Sequence, residues 1–504
     1  MASKKHLVIC ESPAKIKPIG KYLGPNYIVK ASVGHFRDLE RSSLSVDLEN
    51  NFNPTYSISP GKENVVRELK REMKKCDLVY IASDNDREGE SIGWHLKEEL
   101  KIPDSRAKRI LFTEITKTAL QEAIKNPTTI NLNMVNSQQG RRIADRIIGY
   151  LISPELWKEI QSSYKERKSL SAGRVQSPCV KLVIDRENLI EKFESKPFFR
   201  ITGKFKINIE ENIELLADLN RDFDEEDTQK NRENMDKFLK KCNNGEFFIS
   251  DIKCNNSTRN PPRPFTTSTL QQEASNKLSM SPKETMSIAQ KLYENGKITY
   301  MRTDSENLSN DAKEIGRNKI LKEFGDSYYQ EYKSKKDVKK EVKKEVKKEV
   351  KKEVKKKEVK KKEVEGKENK EGKKDLSQEA HEACRPCDFN ISSLEDNDTF
   401  SYRENRLYKL IWSRTMMCMM KSAKVEITTI KISLKNKEGK INKNHFLSKK
   451  EFIKFDGFLA VNKFLQKSKE ESGCKEESGG KEESGGKEES VGKEESEKSN
   501  EEKI

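Results

Sequence analysis

Leu78-Val79-Tyr80-Ile81-Ala82-Ser83-Asp84-Asn85-Asp86-Arg87-Glu88-Gly89-Glu90 is the stretch that decides the reading of this chain. Its apolar start runs straight into a loop dense in carboxylates, the pattern of a buried strand that ends in an acidic turn. In extended backbone, residues two apart point the same way, so Asp84, Asp86 and Glu88 can converge on one point. Hard oxygen donors gathered there suit Mg²⁺, which takes only one or two protein carboxylates directly and keeps its remaining waters. Gly89 lets the backbone turn into a following helix. The pattern also occurs earlier, where His6–Cys10 (HLVIC) is followed at once by Glu11-Ser12-Pro13. Segments 64–76 and 90–101 have helical spacing. Strands alternating with helices predict a parallel sheet over residues 1 to about 130. In such sheets chemistry gathers beyond the carboxyl ends of the strands, and both acidic motifs lie there.

Beyond the sheet, residues 132–190 read as largely helical and carry Arg141, Arg142 and Arg146. Residues 197–260 and 400–465 alternate like strands (ITGKFKINI, VEITTIKISL), residues 265–325 read as helices around Tyr300, and 376–386 reads as another helical piece. Two segments cannot bury enough apolar surface to fold. KKEV repeats fill 333–374 with 21 Lys against 10 acidic residues, and KEESGG repeats fill 467–504 with 8 Lys against 13 Glu. Both are expected to be disordered. They hold +11 and −5 of the net +16, so the rest of the chain keeps +10 and a polyanionic partner stays in view.

Nine cysteines are scattered without a disulfide framework, as in a reducing compartment. The close pair Cys384 and Cys387 has no second pair to complete a zinc site. The apolar run in MASKKHLVIC is too short for a secretory signal, and no run of about 18 apolar residues could span a membrane. The expectation is a soluble intracellular protein, cytoplasmic or nuclear according to the organism. The phosphate loop G-x-x-x-x-G-K-[ST] does not occur, so no nucleotide cofactor is expected.

Ile298-Thr299-Tyr300-Met301-Arg302-Thr303-Asp304-Ser305 adds a nucleophile. A phenol two residues from a guanidinium suits phosphoryl transfer, the phenolate attacking while the cation neutralises charge growing on the phosphate. A phenol has a pKa of about 10, so a positioned proton acceptor and nearby cations are required.

With these motifs quoted, a resemblance emerges. An acid after the first strand followed by D-x-D-R-E-G-E resembles the Toprim fold of topoisomerases, primases and some nucleases, and ITYMRTDS resembles the active-site signature of type IA topoisomerases, in the bacterial topoisomerase I branch. Further matches lie in the family's order: Glu11-Ser12-Pro13-Ala14-Lys15, Gln138–Arg146 (QQGRRIADR), Leu170–Ser177 (LSAGRVQS), Pro264–Gln271 (PFTTSTLQ) and Gln378–Pro386 (QEAHEACRP). Where Asn85 stands, the family usually has proline.

The resemblance implies an α/β Toprim domain of Rossmann-like form, with mainly helical and β-rich domains, within a multidomain toroid. Its limits would be 1–135 for Toprim, 136–196 for a helical DNA-groove domain, 197–263 with 395–465 for a β-rich arch, and 264–394 for the tyrosine domain. The insert 333–374 would interrupt the last of these, and 466–504 would be a tail. It implies Tyr300 as nucleophile, Arg302 and Lys15 on the phosphate, Glu11 on the leaving hydroxyl, and His381 near the tyrosine. Asp84, Asp86 and Glu88 would hold Mg²⁺, while Arg87, Arg141, Arg142, Asp145, Arg146, Ser171, Arg174 and Gln176 would meet a DNA single strand. The implied activity is ATP-independent relaxation of negatively supercoiled DNA by a monomer. Family members continue past Phe455-Asp456-Gly457-Phe458 with a long ring-closing stretch, whereas repeats occupy that place here. The expectation is therefore a shortened copy, with a cleavage-only or strand-binding remnant as the alternative.

Overall fold

The computed structural model describes residues 5–159, 170–208, 213–224, 228–334, 382–394 and 400–471. His381 and nearly all of both repeat segments lie outside them. The chain divides into a unit of residues 1–461 and a second of residues 462–504.

The N-terminal part is the expected parallel sheet. Its strands are β1 (His6–Cys10), β2 (Tyr27–Ala31) and, after the short pieces β3 (Arg37–Leu39), β4 (Val46–Asp47), β5 (Asn53–Pro54) and β6 (Tyr56–Ile58), β7 (Val79–Ala82) and β8 (Ala107–Arg109). They lie in the order β2-β1-β7-β8. Helices α1 (Ile16–Leu23), α2 (Glu63–Met73), α3 (Arg87–Leu100) and α4 (Lys117–Lys125) connect or succeed them. The central strands β1 and β7 are buried almost throughout because both faces of the sheet are covered, which is why they read as unbroken apolar runs rather than alternations. Leu7, Ile9, Val79, Ile81, Ile92 and Leu96 form the centre of that core.

Helices α5 (Leu132–Glu159) and α6 (Gln176–Glu191) come next, then β9 (Thr202–Asn208), β10 (Ile213–Leu219), α7 (Thr228–Asn243) and β11 (Glu246–Arg259). The tyrosine region contributes α8 (Thr267–Leu278), α9 (Pro282–Glu294) and α10 (Asn310–Glu323). The chain then gives α11 (Tyr402–Cys418), β12 (Ala423–Lys435), β13 (Ile441–Phe455) and α12 (Ala460–Glu471). Two distant stretches thus build one five-stranded sheet, β11-β12-β13-β10-β9. Helix α6 buries none of its side chains, and its Leu182 and Val183 are each 68% exposed.

Three sequence expectations fail locally. Helix α7 lies within 197–260 and α11 within 400–465, both read as strand-like. In α11, Leu407, Tyr408, Ile411, Trp412, Thr415 and Met416 are buried, a three-to-four residue repeat that the strongly alternating β12 next to it overshadowed. Residues 382–386 are extended, not helical: Cys384 bridges Phe265 and Pro386 bridges Ile298.

His95 on α3 is 4% exposed, packed edge-on against Tyr56 and Trp94 at 4.7 and 4.8 Å, and its Nδ1 lacks a hydrogen-bond partner. Burial, then the charges of Arg37 and His35, push its pKa down to about 3. The unfolded chain therefore binds the extra proton. Stability from the neutral ring is complete above about pH 6.5 and falls as pH drops from there toward the folded value, by up to about 1.4 kcal/mol per pH unit. The urea midpoint followed by tryptophan fluorescence should fall more between about pH 7 and about pH 5 in the native chain than in His95→Gln.

Candidate active site

Parallel pairing of β1 with β7 brings the loops at their carboxyl ends to the same edge of the sheet. Glu11 emerges there beside Asp84 and Asp86. Asp86 caps α3, its Oδ1 accepting the Gly89 N–H at 2.8 Å. Glu88 is not part of an extended run; it sits on the first helical turn. All four carboxylates nevertheless line one cavity of about 290 Å³, together with Tyr300 and Arg302. Gly89 is required by close approach, because a Cβ there would come within 2.2 Å of the Asp84 carbonyl oxygen.

Each carboxylate has its own surroundings. Asp84 is 4% exposed; its Oδ1 accepts from the Lys15 ammonium and, at 3.2 Å, from the Tyr293 hydroxyl. Lys15 is wholly buried, its Nζ 4.9 Å from the Tyr293 ring centroid. It therefore lies beneath the carboxylates rather than on the cavity wall. Glu88 Oε2 accepts from Gln138 Nε2 at 3.0 Å and meets His35 Nε2 at 3.3 Å. That contact holds the Glu88 carboxyl below its usual range and raises the His35 imidazole. Burial, followed by the charge of Asp84, raises the Glu11 carboxyl, with Lys15 opposing. Behind them, buried Arg109 pairs with Glu90 at 2.9 Å and donates to the carbonyls of Ile81, Ser83 and Asp84, clamping the end of β7.

Tyr300 comes after α9 in an extended segment whose Met301, Thr303 and Ser305 are buried while Arg302 and Asp304 are exposed. Thr267, in the first turn of α8, fixes this segment: its Oγ1 donates to the Met301 carbonyl at 2.7 Å and accepts the Thr303 N–H at 2.9 Å. The Tyr300 hydroxyl donates to Asp86 Oδ2 at 2.5 Å, joining residues 214 positions apart. Burial and the charges of Asp86 and Asp84 push this phenol far up, so it rests protonated.

Neighbouring cavities share walls with this one. Asp86, Glu88 and Arg302 also line a cavity containing Arg87 and Arg141. Glu88 and Arg141 continue into a third of about 300 Å³ with Arg142, Asp145 and Arg174. Arg142 and Asp145 lead into a fourth with Arg146 and Ser171. Gln176 flanks it, its Nε2 donating to Ser171 Oγ at 3.0 Å. The trough has internal pairs: Arg142 with Asp38 at 2.5 Å and Arg174 with Asp145 at 3.0 Å. Arg146 is 6% exposed and bonds the carbonyls of Leu39, Glu40 and Ser43, so it supports the wall more than it faces the opening.

Sequence reasoning missed His35, Asp38, Arg109, Gln138 and Tyr293. Gln138 lay inside a quoted motif, and a buried-strand arginine such as Arg109 is a signal in itself because it demands a partner. Nothing local marked the others. Among the described residues, no three His, Cys, Asp or Glu side chains converge tightly enough to form a ready cation cage.

Residues 6–115 match the Toprim domain, a module that binds divalent metal. Residues 129–352 and 334–501 match the DNA topoisomerase family model, and the chain belongs to that family, the bacterial type IA DNA topoisomerases. Its fold and sequence are similar to those of full-length topoisomerase I from Thermotoga maritima, at 35% identity and a TM-score of 0.69, over 91% of this chain and 67% of that one. The chain is thus a DNA topoisomerase and its substrate is DNA. Among the described residues, no helix is long and apolar enough to cross a membrane.

Gly89→Ala should push the Asp84 backbone outward, lowering stability by about 1–3 kcal/mol as overpacking does. It should also abolish strand cleavage. A denaturation curve together with a cleavage assay on single-stranded DNA checks both effects.

Proposed function

We propose that Tyr300 cuts a DNA single strand by forming a 5′-phosphotyrosine bond and then reseals it. The observation supporting this is the meeting of its hydroxyl with Asp86 in the cavity shared by Glu11, Asp84 and Glu88. The Tyr300 oxygen attacks phosphorus and the bond from phosphorus to the 3′-oxygen breaks. Asp86 Oδ2 is the acceptor in place for the phenolic proton. Glu11, whose surroundings favour its protonated form, gives a proton to the departing 3′-oxygen. Resealing runs these steps backward. One phosphodiester is exchanged for another, so no ATP is consumed.

Arg302, at the mouth of the cavity, neutralises charge on the phosphate. Lys15 acts one step removed, by holding Asp84 in place. His381 keeps the role near Tyr300 that the motif resemblance gives it. The donor set fits Mg²⁺: the four carboxylates are hard oxygens, and beyond the effect of burial the charges of Asp84 and Asp86 raise the Glu11 carboxyl, a repulsion a cation would relieve. Held by Asp84, Asp86 and Glu88, Mg²⁺ would supply positive charge that aligns the phosphate and the 3′-hydroxyl.

The trough binds the strand chiefly through its backbone. Arg87, Arg141, Arg142, Arg174 and Gln176 face it, with Asp145, Arg146 and Ser171 shaping its wall. The enzyme works as a monomer on negatively supercoiled DNA, in whichever compartment holds that DNA, and passes a second strand through the break.

Tyr300→Phe should leave oligonucleotide binding intact and yield no covalent protein–DNA adduct after a denaturing quench; an adduct in that variant would falsify the assignment. Asp84→Ala combined with Asp86→Ala should demand more Mg²⁺ for supercoil relaxation, and a metal titration unchanged from wild type would remove these two residues as ligands.

A further inference from the structure

Thr113, Glu114 and Ile115 come after β8 on the carboxylate side of the molecule, and each meets the part that carries Tyr300. The Thr113 carbonyl accepts the Tyr300 N–H at 2.8 Å. The Ile115 carbonyl lies where a Cβ on Gly296 would come within 2.6 Å, so glycine, at φ +65°, permits the approach. Between them Glu114 Oε2 stands 3.1 Å from Arg385 Nη1, in a contact whose side chains are only 17% and 7% exposed. Arg385 is wired directly to the nucleophile's neighbour. Its N–H donates to Thr299 Oγ1 at 2.9 Å, and its carbonyl accepts the Thr299 N–H at 2.8 Å.

The pair is built so that it can come apart. Breaking a buried ion pair is costly when either charge is left bare. Here each ion keeps a companion on its own side: Arg385 Nη2 donates to Glu382 Oε2 at 2.7 Å, and Glu114 Oε1 accepts from Thr116 Oγ1 at 3.1 Å. Glu114 Oε2 and Arg385 Nε complete no closed hydrogen-bond ring among the described residues, so the contact rests chiefly on charge, with the Cys387 thiol also close to Glu114.

We propose that Glu114 and Arg385 form a latch, a pair of positioning residues that keeps Tyr300 seated on the carboxylate cavity and sets how readily the cut strand is resealed. The proposal rests on Tyr300 being the nucleophile. With the latch weakened, the phosphotyrosine and the 3′-hydroxyl part more often, so resealing slows and adduct accumulates.

The test uses the full chain and a single-stranded oligonucleotide, reading the adduct fraction after a denaturing quench and the resealing rate after a jump to high salt. Glu114→Gln should slow resealing and raise the ratio of adduct to intact strand by about tenfold, the change equivalent to 1.4 kcal/mol. Glu114→Asp, which keeps the charge, should stay near wild type. Combining Glu114→Gln with Arg385→Gln should add little to either alone. If Arg385→Gln does not fold, the Gln and Asp variants of Glu114 decide the matter, with melting curves confirming that both are folded. Wild-type adduct with unchanged resealing in Glu114→Gln overturns the latch alone. Absence of adduct in the wild type overturns the nucleophile reading and the latch together.

Discussion

Holding four carboxylates around one small cavity is the constraint on which the rest of this active site depends. Two unit charges 4 Å apart repel by about 4 kcal/mol where the effective dielectric constant is about 20, so such a cluster persists only if its surroundings answer each charge. The answers come from all over the N-terminal part. Lys15, just ahead of α1, is buried against Asp84 and a tyrosine ring. His35 comes from the loop after β2 to Glu88. Arg109, at the end of β8, holds the carbonyls from which the acidic loop departs. The Glu11 carboxyl is raised first by burial and then by the charge of Asp84, with Lys15 and His35 offsetting only part of the shift. A carboxyl whose proton affinity is raised is suited to serve as an acid.

The same constraint explains how much was legible in the sequence. The two buried strands and the acids behind them stood out because burial on both faces leaves uninterrupted apolar runs. Tyr300 and Arg302 were legible through the string around them, not through their own chemistry. Compensation stayed hidden: Lys15 was expected at a phosphate yet lies under Asp84, since nothing local says which way a lysine side chain goes. His35, Asp38 and Tyr293 act across long chain separations, and no periodicity reports such pairings. Residues 382–386 misled for a related reason. Their composition suits a helix, but bridges to Phe265 and Ile298 draw them out as extended backbone, tertiary pairing overriding local preference.

Chain connectivity adds a further point. Tyr300 and Asp86 lie 214 positions apart and meet through a hydrogen bond between side chains. In the proposed cycle, cleavage leaves the 5′ end covalently attached to Tyr300, while the 3′ end stays with the carboxylates and the trough. The two ends of the broken strand therefore belong to different parts of the protein, which is what allows a gap to open without losing either end. Were both on one rigid element, the enzyme could cut and reseal but could admit nothing between the two events.

That division also accounts for the character of the contacts joining the two parts. They include directional polar contacts: a hydroxyl to Asp86, another to Asp84, a backbone N–H to Thr113 and the Glu114–Arg385 charge pair. Burying a large apolar face would hold the parts together more strongly, at roughly 25 cal/mol per Å² of apolar surface, but separation would forfeit all of it at once. Polar contacts return to water or to a companion on their own side when broken, so their net contribution is small while their geometry is strict. In the proposed cycle, a site that aligns a phenol with a phosphate and then lets go of it is best served by interactions that are demanding in direction and modest in net energy.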